Sequence, residues 1–322
     1  MQLSGNRFVI IGRAGMDFYP DPPGTKTEHA THFFACLGGS SANIGVAITK
    51  LGGSADLVTC VSDDAIGRFA LNELDKYGVG RKHVRFVGGE ARNSLAVVES
   101  RIEDHQSVIY RNGAADFEMT RADVEAVDYS RYDALITTGT VFAAEPSRSA
   151  AFHAFELAKA AGLPLIFDID YRPYSWPSAA VAAEVYSRAG ALCDVIVGND
   201  VEFGFMAGDY AQGLDKAREL VAKGAKLAVY KMGEKGAITV TPEGEITTGI
   251  YRTEALKPTG AGDSFMGGLV AGLADGLSVR EAVLQGSANA AMVVARVGCA
   301  PAMPARQELE EFLRRQADTS AA

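Results

Sequence analysis

Short apolar runs alternate with longer amphipathic stretches along this chain. Arg7–Gly12 (RFVIIG) is apolar without alternation, which predicts a strand buried on both faces. Ser41–Leu51 carries apolar residues at helical spacing. Asp56–Val61 is again a continuous apolar run, and Ala65–Tyr77 shows the one-sided stripe of an amphipathic helix. Further strands are predicted at Ala134–Thr137, Leu165–Ile169, Val195–Val197 and Leu227–Tyr230, each followed by a helical stretch. Buried strands alternating with helices predict βα units, hence an α/β fold with a parallel sheet and helices on both faces.

Two stretches break the alternation. Phe18–Phe34 is interrupted by Pro20, Pro22, Pro23 and Gly24. Ser94–Tyr110 reads as a hairpin, with apolar positions at Leu95, Val97 and Ile102, a polar turn at Glu103–Gln106 and a return along Val108–Tyr110. A hairpin does not join a parallel core easily. It is expected, with the segment after the first strand, in a small separate sheet over one end of the main sheet. The chain then forms a single domain over residues 1–322, with lid segments near 13–36 and 90–113. A lid at the carboxyl ends of the strands would cover the place where open α/β sheets bind ligands. The last residues, Gln316–Ala322, read as a frayed tail.

Charge narrows the partners. Lysine and arginine total 31, aspartate and glutamate 40, giving a net charge of −9. A nucleic-acid or anionic-membrane partner needs a basic surface and is not expected. A small anionic substrate stays possible, provided that a few cations line its pocket. The four cysteines, Cys36, Cys60, Cys193 and Cys299, are scattered without metal spacing, which predicts reduced thiols and a cytoplasmic protein. The start lacks a signal pattern, and no apolar run approaches the ~18 residues of a membrane span. His29 and His32 stand near one another without the carboxylates that a metal site would add.

Four motifs carry chemistry. The first strand leads into Arg13-Ala14-Gly15-Met16-Asp17 and a proline-rich segment, so the dinucleotide fingerprint is absent, as is a P-loop. Pro258-Thr259-Gly260-Ala261-Gly262-Asp263 precedes a small, apolar helical run. Glycines at a helix start leave outward N–H groups, and the helix dipole adds positive potential, together an anion hole. Asp263 beside it could take a proton from an attacking hydroxyl; a plain glycine turn with an acidic first helical residue explains the same letters. Leu37-Gly38-Gly39-Ser40-Ser41-Ala42-Asn43 also precedes a helix. Its glycines admit a small polar ligand and Asn43 both donates and accepts, although a turn with a serine cap reads equally well. Asp17 offers a pure acceptor to vicinal hydroxyls. Asn199-Asp200-Val201-Glu202 puts an amide and a carboxylate on one helix face, suited to a hydrated magnesium ion or simply to a capped helix. Lys231-Met232-Gly233-Glu234-Lys235-Gly236 could follow the phosphates of a nucleotide, or be a hairpin turn.

These elements, in this order, resemble the PfkB (ribokinase-like) family of sugar kinases over essentially the whole chain. The resemblance rests on Gly38–Asn43, on Asn199 and Glu202, and on Gly260-Ala261-Gly262-Asp263. It implies a Rossmann-like α/β domain with a β-sheet lid and ATP-dependent, Mg²⁺-assisted phosphorylation of a hydroxymethyl group. By resemblance Asp263 is the base, and Gly260, Ala261 and Gly262 form the anion hole. Asp17, Gly38, Gly39 and Asn43 contact the sugar, and Asn199 and Glu202 organise magnesium through water. Lys231, Gly233 and Lys235 meet the nucleotide, with either Ser287 or Asn289 at the adenine edge. A dimer formed through the lid is expected.

Ile11-Gly12-Arg13-Ala14 with Asp17, Asp168-Ile169-Asp170-Tyr171-Arg172-Pro173 with Trp176, and Leu256-Lys257-Pro258 are similar to the subfamily acting on the keto-deoxy acid 5-dehydro-2-deoxygluconate in myo-inositol breakdown. Kinases of 2-keto-3-deoxygluconate and fructokinases are the alternatives, and a non-catalytic sugar sensor is a more distant one. An acid substrate requires a cation, for which Arg172, Arg111 and Arg13 are the candidates. Arg172 is also expected to neutralise charge at the transferred phosphoryl group. Lys257 stands where the ribokinase pattern has an aspartate beside a monovalent cation, so its ammonium is expected to replace that ion.

Overall fold

The computed structural model describes the backbone of residues 1–321 and the side chains of residues 1–316. Strand β1 (Arg7–Ile11) leads into β2 (Gly15–Pro20) and β3 (Phe33–Gly38), followed by helix α1 (Ser40–Lys50). β4 (Ser54–Ser62), α2 (Ala65–Lys76) and β5 (Gly80–Val87) come next, then the hairpin β6 (Leu95–Val98) and β7 (Ser107–Tyr110). The short α3 (Arg121–Glu125) precedes β8 (Ala134–Thr138), α4 (Ser147–Ala160), β9 (Leu165–Asp168), α5 (Ala179–Leu192) and β10 (Val195–Asn199). Beyond it lie α6 (Asp200–Ala207), α7 (Gly213–Ala222), β11 (Leu227–Lys231), β12 (Ala237–Thr241) and β13 (Gly244–Thr248). The chain ends in α8 (Ala261–Ala274), α9 (Val279–Val294) and α10 (Arg306–Ala321).

The main sheet has nine strands in the order β13-β12-β11-β10-β9-β8-β1-β4-β5. All neighbours from β5 to β11 pair in parallel, whereas β12 and β13 add an antiparallel edge. Alternate residues of β1 serve opposite faces. Val9 and Ile11 join Leu135, Phe142 and Phe167 in one core, while Phe8 and Ile10 join Ile136, Ile166 and Leu269 in the other. Two-sided burial is why the central strands read as unbroken apolar runs. The fold class is therefore α/β with a mostly parallel sheet, as the pattern predicts.

The second sheet has four strands, β3-β2-β6-β7. β2 pairs antiparallel with β3 and parallel with β6, and β6 pairs antiparallel with β7. Ile102 lies in the turn of this hairpin and is exposed, not in a strand as its apolar character suggests. A second departure follows β11, where the expected helix is replaced by the hairpin β12–β13. β13 is the edge strand and is largely exposed, whereas β12 beside it is largely buried on both faces. β5 escapes the hydrophobic pattern because, as the opposite edge strand, it carries Arg81, Lys82, His83 and Arg85. Such charges protect an exposed edge from pairing with another chain. At the C-terminus, α10 continues through Ala321 where a frayed tail is expected; Ala322 lies outside the described residues.

Helix α8 (AGDSFMGGLVAGLA) is apolar nearly all round and is buried among the sheet, α1 and α9. Gly267 makes this possible, because a β-carbon there would run into Ala47 of α1. The Ala47 methyl therefore packs directly on the Gly267 main chain, and the two helix N-termini open toward the same end of the main sheet.

Candidate active site

A cleft of about 390 Å³ lies at the carboxyl ends of the parallel strands, the usual ligand position in open α/β sheets. Its floor is formed by Asp168 at the end of β9, Asn199 at the end of β10 and Lys231 at the end of β11. The α1 start contributes Gly39, Ser40 and Asn43, and the α8 start contributes Gly260, Gly262 and Asp263. Arg13 and Asp17 enter from the β1–β2 region, and Asp170, Arg172 and Tyr174 from the loop after β9. Ala96, Val98, Ser107 and Ile109 of the small sheet close the other side.

Two glycines shape the walls. Gly39 (φ 95°) and Gly260 (φ 86°) hold left-handed conformations directly before α1 and α8. A β-carbon on Gly260 would lie 2.7 Å from Cys299 Sγ, and one on Gly39 would lie 2.5 Å from the carbonyl of Arg13. Each helix N-terminus can therefore approach a ligand closely. Asp263, in the first turn of α8, accepts a hydrogen bond from Asn43 Nδ2 at 2.9 Å. This bond ties the two helix starts together across the cleft.

The carboxylates of the cleft are conditioned first by burial and then by the charges around them. Burial and then the neighbouring charge of Asp170 raise the Asp263 pKa to about 7, against the opposing effects of Asn43, Arg172 and Arg13. Burial raises Asp17 to about 6, with Arg13 and Lys257 opposing. Asp168 is driven well above the carboxylate range, mainly by burial. For Asp170, burial works in the same direction but is outweighed by Arg172, the nearby Ser40 hydroxyl, Arg13 and Arg111, which hold it below its ordinary value. Asp170 Oδ1 pairs with Arg172 at 2.7 Å, and the residue occupies the left-handed region at φ 37°. Asp and Asn tolerate that conformation better than other non-glycine residues.

Asn199 and Glu202 form the helix cap that their spacing offered as one of its two readings. They form a reciprocal cap on α6: Glu202 N donates to Asn199 Oδ1 at 2.9 Å, and Asn199 N donates to Glu202 Oε2 at 2.7 Å. Tyr171 N donates to Glu202 Oε1 at 3.2 Å. Both residues also line the cleft. With both carboxylate oxygens already accepting backbone N–H groups, the pair suits a magnesium ion held through water rather than directly. No group of three or more His, Cys, Asp or Glu residues among the described residues forms a metal cage.

Seven of the residues expected in the site do not line the cleft. Gly38 makes room for the Asp17 carboxylate, which a β-carbon there would strike. Ala261 supplies the first turn of α8. Gly233 and Lys235 lie in the turn between β11 and β12, so this motif is indeed a hairpin turn, with only Lys231 reaching the cleft. Asn289 is fully buried and donates to the Ser264 carbonyl at 2.8 Å, and Ser287 is buried on the same helix. Arg111 pairs with Asp116, donates to the Thr140 carbonyl at 3.0 Å and stacks on Phe117. Conversely, Asp168, Asp170, Ser40, Tyr174 and Cys299 are cleft residues not singled out as site residues in the sequence. Asp168 carries a signal that could have found it: a carboxylate closing the apolar run LIFD must face something polar.

Beneath the α8 loop, Lys257 is completely buried. Its Nζ donates to the Thr259 carbonyl at 2.6 Å and to the Val293 carbonyl at 3.3 Å. Burial lowers its pKa, with Cys299, Cys36, Asp263 and Asp17 opposing.

Residues 6–306 match the family model described as pfkB family carbohydrate kinase. A 5-dehydro-2-deoxygluconokinase of Photobacterium profundum is 34% identical over 310 residues, spanning 95% of this chain and 94% of that one. Among solved structures, a double mutant of the fructokinase of Vibrio cholerae O395, with fructose, ADP and a potassium ion, superposes with a TM-score of 0.85 at 26% identity, covering 97% and 99% of the two chains. The aminoimidazole riboside kinase of Salmonella enterica, with aminoimidazole riboside and an ATP analog, gives a TM-score of 0.82 at 25% identity over 96% and 99%.

Proposed function

The chain belongs to the pfkB family of carbohydrate kinases, and from that premise we propose that it uses ATP to phosphorylate the terminal hydroxyl of 5-dehydro-2-deoxy-D-gluconate, yielding the 6-phosphate in myo-inositol breakdown. The observation that carries the chemistry is Asp263, a carboxyl poised near neutrality at the start of α8 beside the N–H groups of residues 260–262. A base with that pKa is substantially ionised at neutral pH and still basic enough to accept a proton. The substrate assignment is supported by the named relatives at about one-third identity over nearly the full chain.

In this reading the acceptor lies between the α1 start and Asp17, with its terminal hydroxyl on Asp263. The hydroxyl oxygen attacks the γ-phosphorus of ATP as Asp263 takes the proton; the bond to the β-phosphate oxygen breaks and ADP leaves. N–H groups at Gly260–Gly262, the α8 dipole, Arg172 and Lys231 meet the charge that develops on the phosphoryl oxygens. Asn199 and Glu202 would hold magnesium through water, and the ion supplies further charge neutralisation on the phosphates. Lys231, Gly233 and Lys235 accompany the nucleotide along the β11–β12 turn. Asn289, fully buried and bonded to the Ser264 carbonyl, supports α8 from behind, which leaves Ser287 as the candidate for the adenine edge.

Lys257 takes the place of a monovalent cation, supported by its two carbonyl ligands directly below the anion hole. The small sheet serves as a lid that excludes water during transfer. Exposed Phe33 and Phe34 on β3 and Val108 and Tyr110 on β7 support dimerisation through it. Four free buried cysteines agree with a reduced cytoplasmic setting.

A coupled assay of ADP release over a panel of acceptors tests the proposal. The expected order places 5-dehydro-2-deoxygluconate first, ahead of 2-keto-3-deoxygluconate, with fructose last. Fructose as the best acceptor, or ATP turnover indifferent to any acceptor, would overturn it.

A further inference from the structure

The proposed acceptor is an acid, and three arginines stand near the cleft. We infer that Arg13 is the residue that reads the acceptor's carboxylate, a specificity contact separate from the phosphoryl-transfer groups; the inference rests on the functional reading above.

The three arginines differ in what already occupies them. Arg172 is ion-paired to Asp170 at 2.7 Å and donates to the Tyr171 carbonyl at 3.2 Å. Arg111 is ion-paired to Asp116, donates to Thr140 O, lies over the Phe117 ring and does not line the cleft. Arg13 lines the cleft with only 6% of its surface exposed. Its Nη1 donates to Ser94 Oγ at 3.2 Å, and its Nε is buried without any partner. Among the described residues it makes no ion pair within 4.0 Å. A buried guanidinium N–H left open costs free energy until a ligand supplies an acceptor.

The other open atoms of the cleft ask for the opposite partner. Asp170 Oδ2 and Asn43 Oδ1 are buried acceptors without a donor, suited to the hydroxyls of a polyol chain. Arg13 thus offers a charged open donor beside Ser94, while Lys231 Nζ lies at the α8 start, 3.8 Å from the place of a β-carbon on Gly262. The backbone of Arg13 is fixed as well. Its carbonyl accepts from Ala42 N at 3.2 Å, at the start of α1, and packs against Gly39. A buried guanidinium held by one serine, with an open Nε and no carboxylate of its own, is what an incoming carboxylate fits. Asp17, Asp170 and Asp263 surround the same space, so an acid would be repelled from this cleft without such a contact.

The test compares 5-dehydro-2-deoxygluconate with its C1 primary amide, which keeps the size and hydroxyls and removes the charge. The wild-type protein should favour the acid. Arg13→Gln should lose about 10- to 100-fold in kcat/KM on the acid, mainly through KM, and treat acid and amide nearly alike. Its KM for ATP and its melting temperature should stay at wild-type values. Arg13→Lys should recover part of the acid preference, which keeps the test informative if the glutamine variant folds poorly. Arg172→Gln should lower kcat on both compounds with the preference intact. The inference is overturned if Arg13→Gln keeps the acid preference, or if Arg172→Gln or Arg111→Gln erases it. A wild-type protein that ignores the acid for a neutral sugar sinks the functional reading first, and this contact with it.

Discussion

The starts of α1 and α8 are built alike and equipped differently. Each follows a left-handed glycine, each opens on the same cleft, and the two helices touch through Gly267 and Ala47. The α1 start is neutral, presenting Ser40 and Asn43 with unmatched oxygen atoms. The α8 start carries Asp263, with Lys231 nearby and the Lys257 ammonium beneath it. The same backbone device can therefore hold a polyol or a phosphate, and the side chains decide which. Hydroxyl recognition needs matched donors and acceptors; phosphoryl transfer needs concentrated charge.

The largest effect should come from Asp263→Asn, which leaves the α8 start intact but removes its base. A kcat lower by ~10²–10⁴-fold with acceptor binding preserved is expected, read by steady-state kinetics alongside calorimetric binding. Loss of less than about tenfold would remove the chemical distinction between the two helix starts.

The paired glycine substitutions come next. Gly260→Ala forces a left-handed alanine against Cys299 and should cut kcat by about 10²–10³-fold, the scale of losing an oxyanion-hole donor. Gly39→Ala, equally strained, should instead raise KM for the acceptor by about tenfold while KM for ATP stays fixed. Identical kinetic profiles for both variants would mean that the two starts are not specialised.

Asn43→Ala cuts the bridge between them. The Asn43 hydrogen bond holds the Asp263 pKa down, so its loss should move the acidic limb of kcat/KM above its expected midpoint near 7. The sign follows from the base being active when ionised. Beyond the pH-independent loss from the missing acceptor contact, activity at about pH 6 should fall by about 3- to 10-fold more than activity at about pH 9. A loss of equal size at both pH values would mean that the bond does not tune Asp263. The smallest effect is expected from potassium: replacing it with a bulky organic cation should change kcat by less than about twofold in the wild-type protein, because Lys257 already sits beneath α8. Strong potassium activation would break that account.

The central sheet was legible because two-sided burial writes itself as apolar runs, seen in β1, β4 and β9. The edge strands β5 and β13 were not, since exposure to solvent admits lysine, arginine, glutamate and threonine and the run dissolves. The site followed the same logic. Asp263, Asn43, Glu202 and Lys231 were visible because glycines or strand ends announce backbone openings beside them. The partners of Arg111 were not legible, because Asp116 and the Phe117 ring become its neighbours only through the chain's return after β7. Asp170 was overlooked because nothing local reveals that a residue at φ 37° will bring its carboxylate to Arg172.

Gly267 leaves no slack between the helices: a β-carbon there would collide with the Ala47 methyl. Asn43 and Asp263 stand one helical turn above this contact, on α1 and α8 respectively, and their hydrogen bond closes the same pair at its open end. A larger residue at position 267 would part the helices there, and on the proposed reading it would disturb the base without touching the cleft itself.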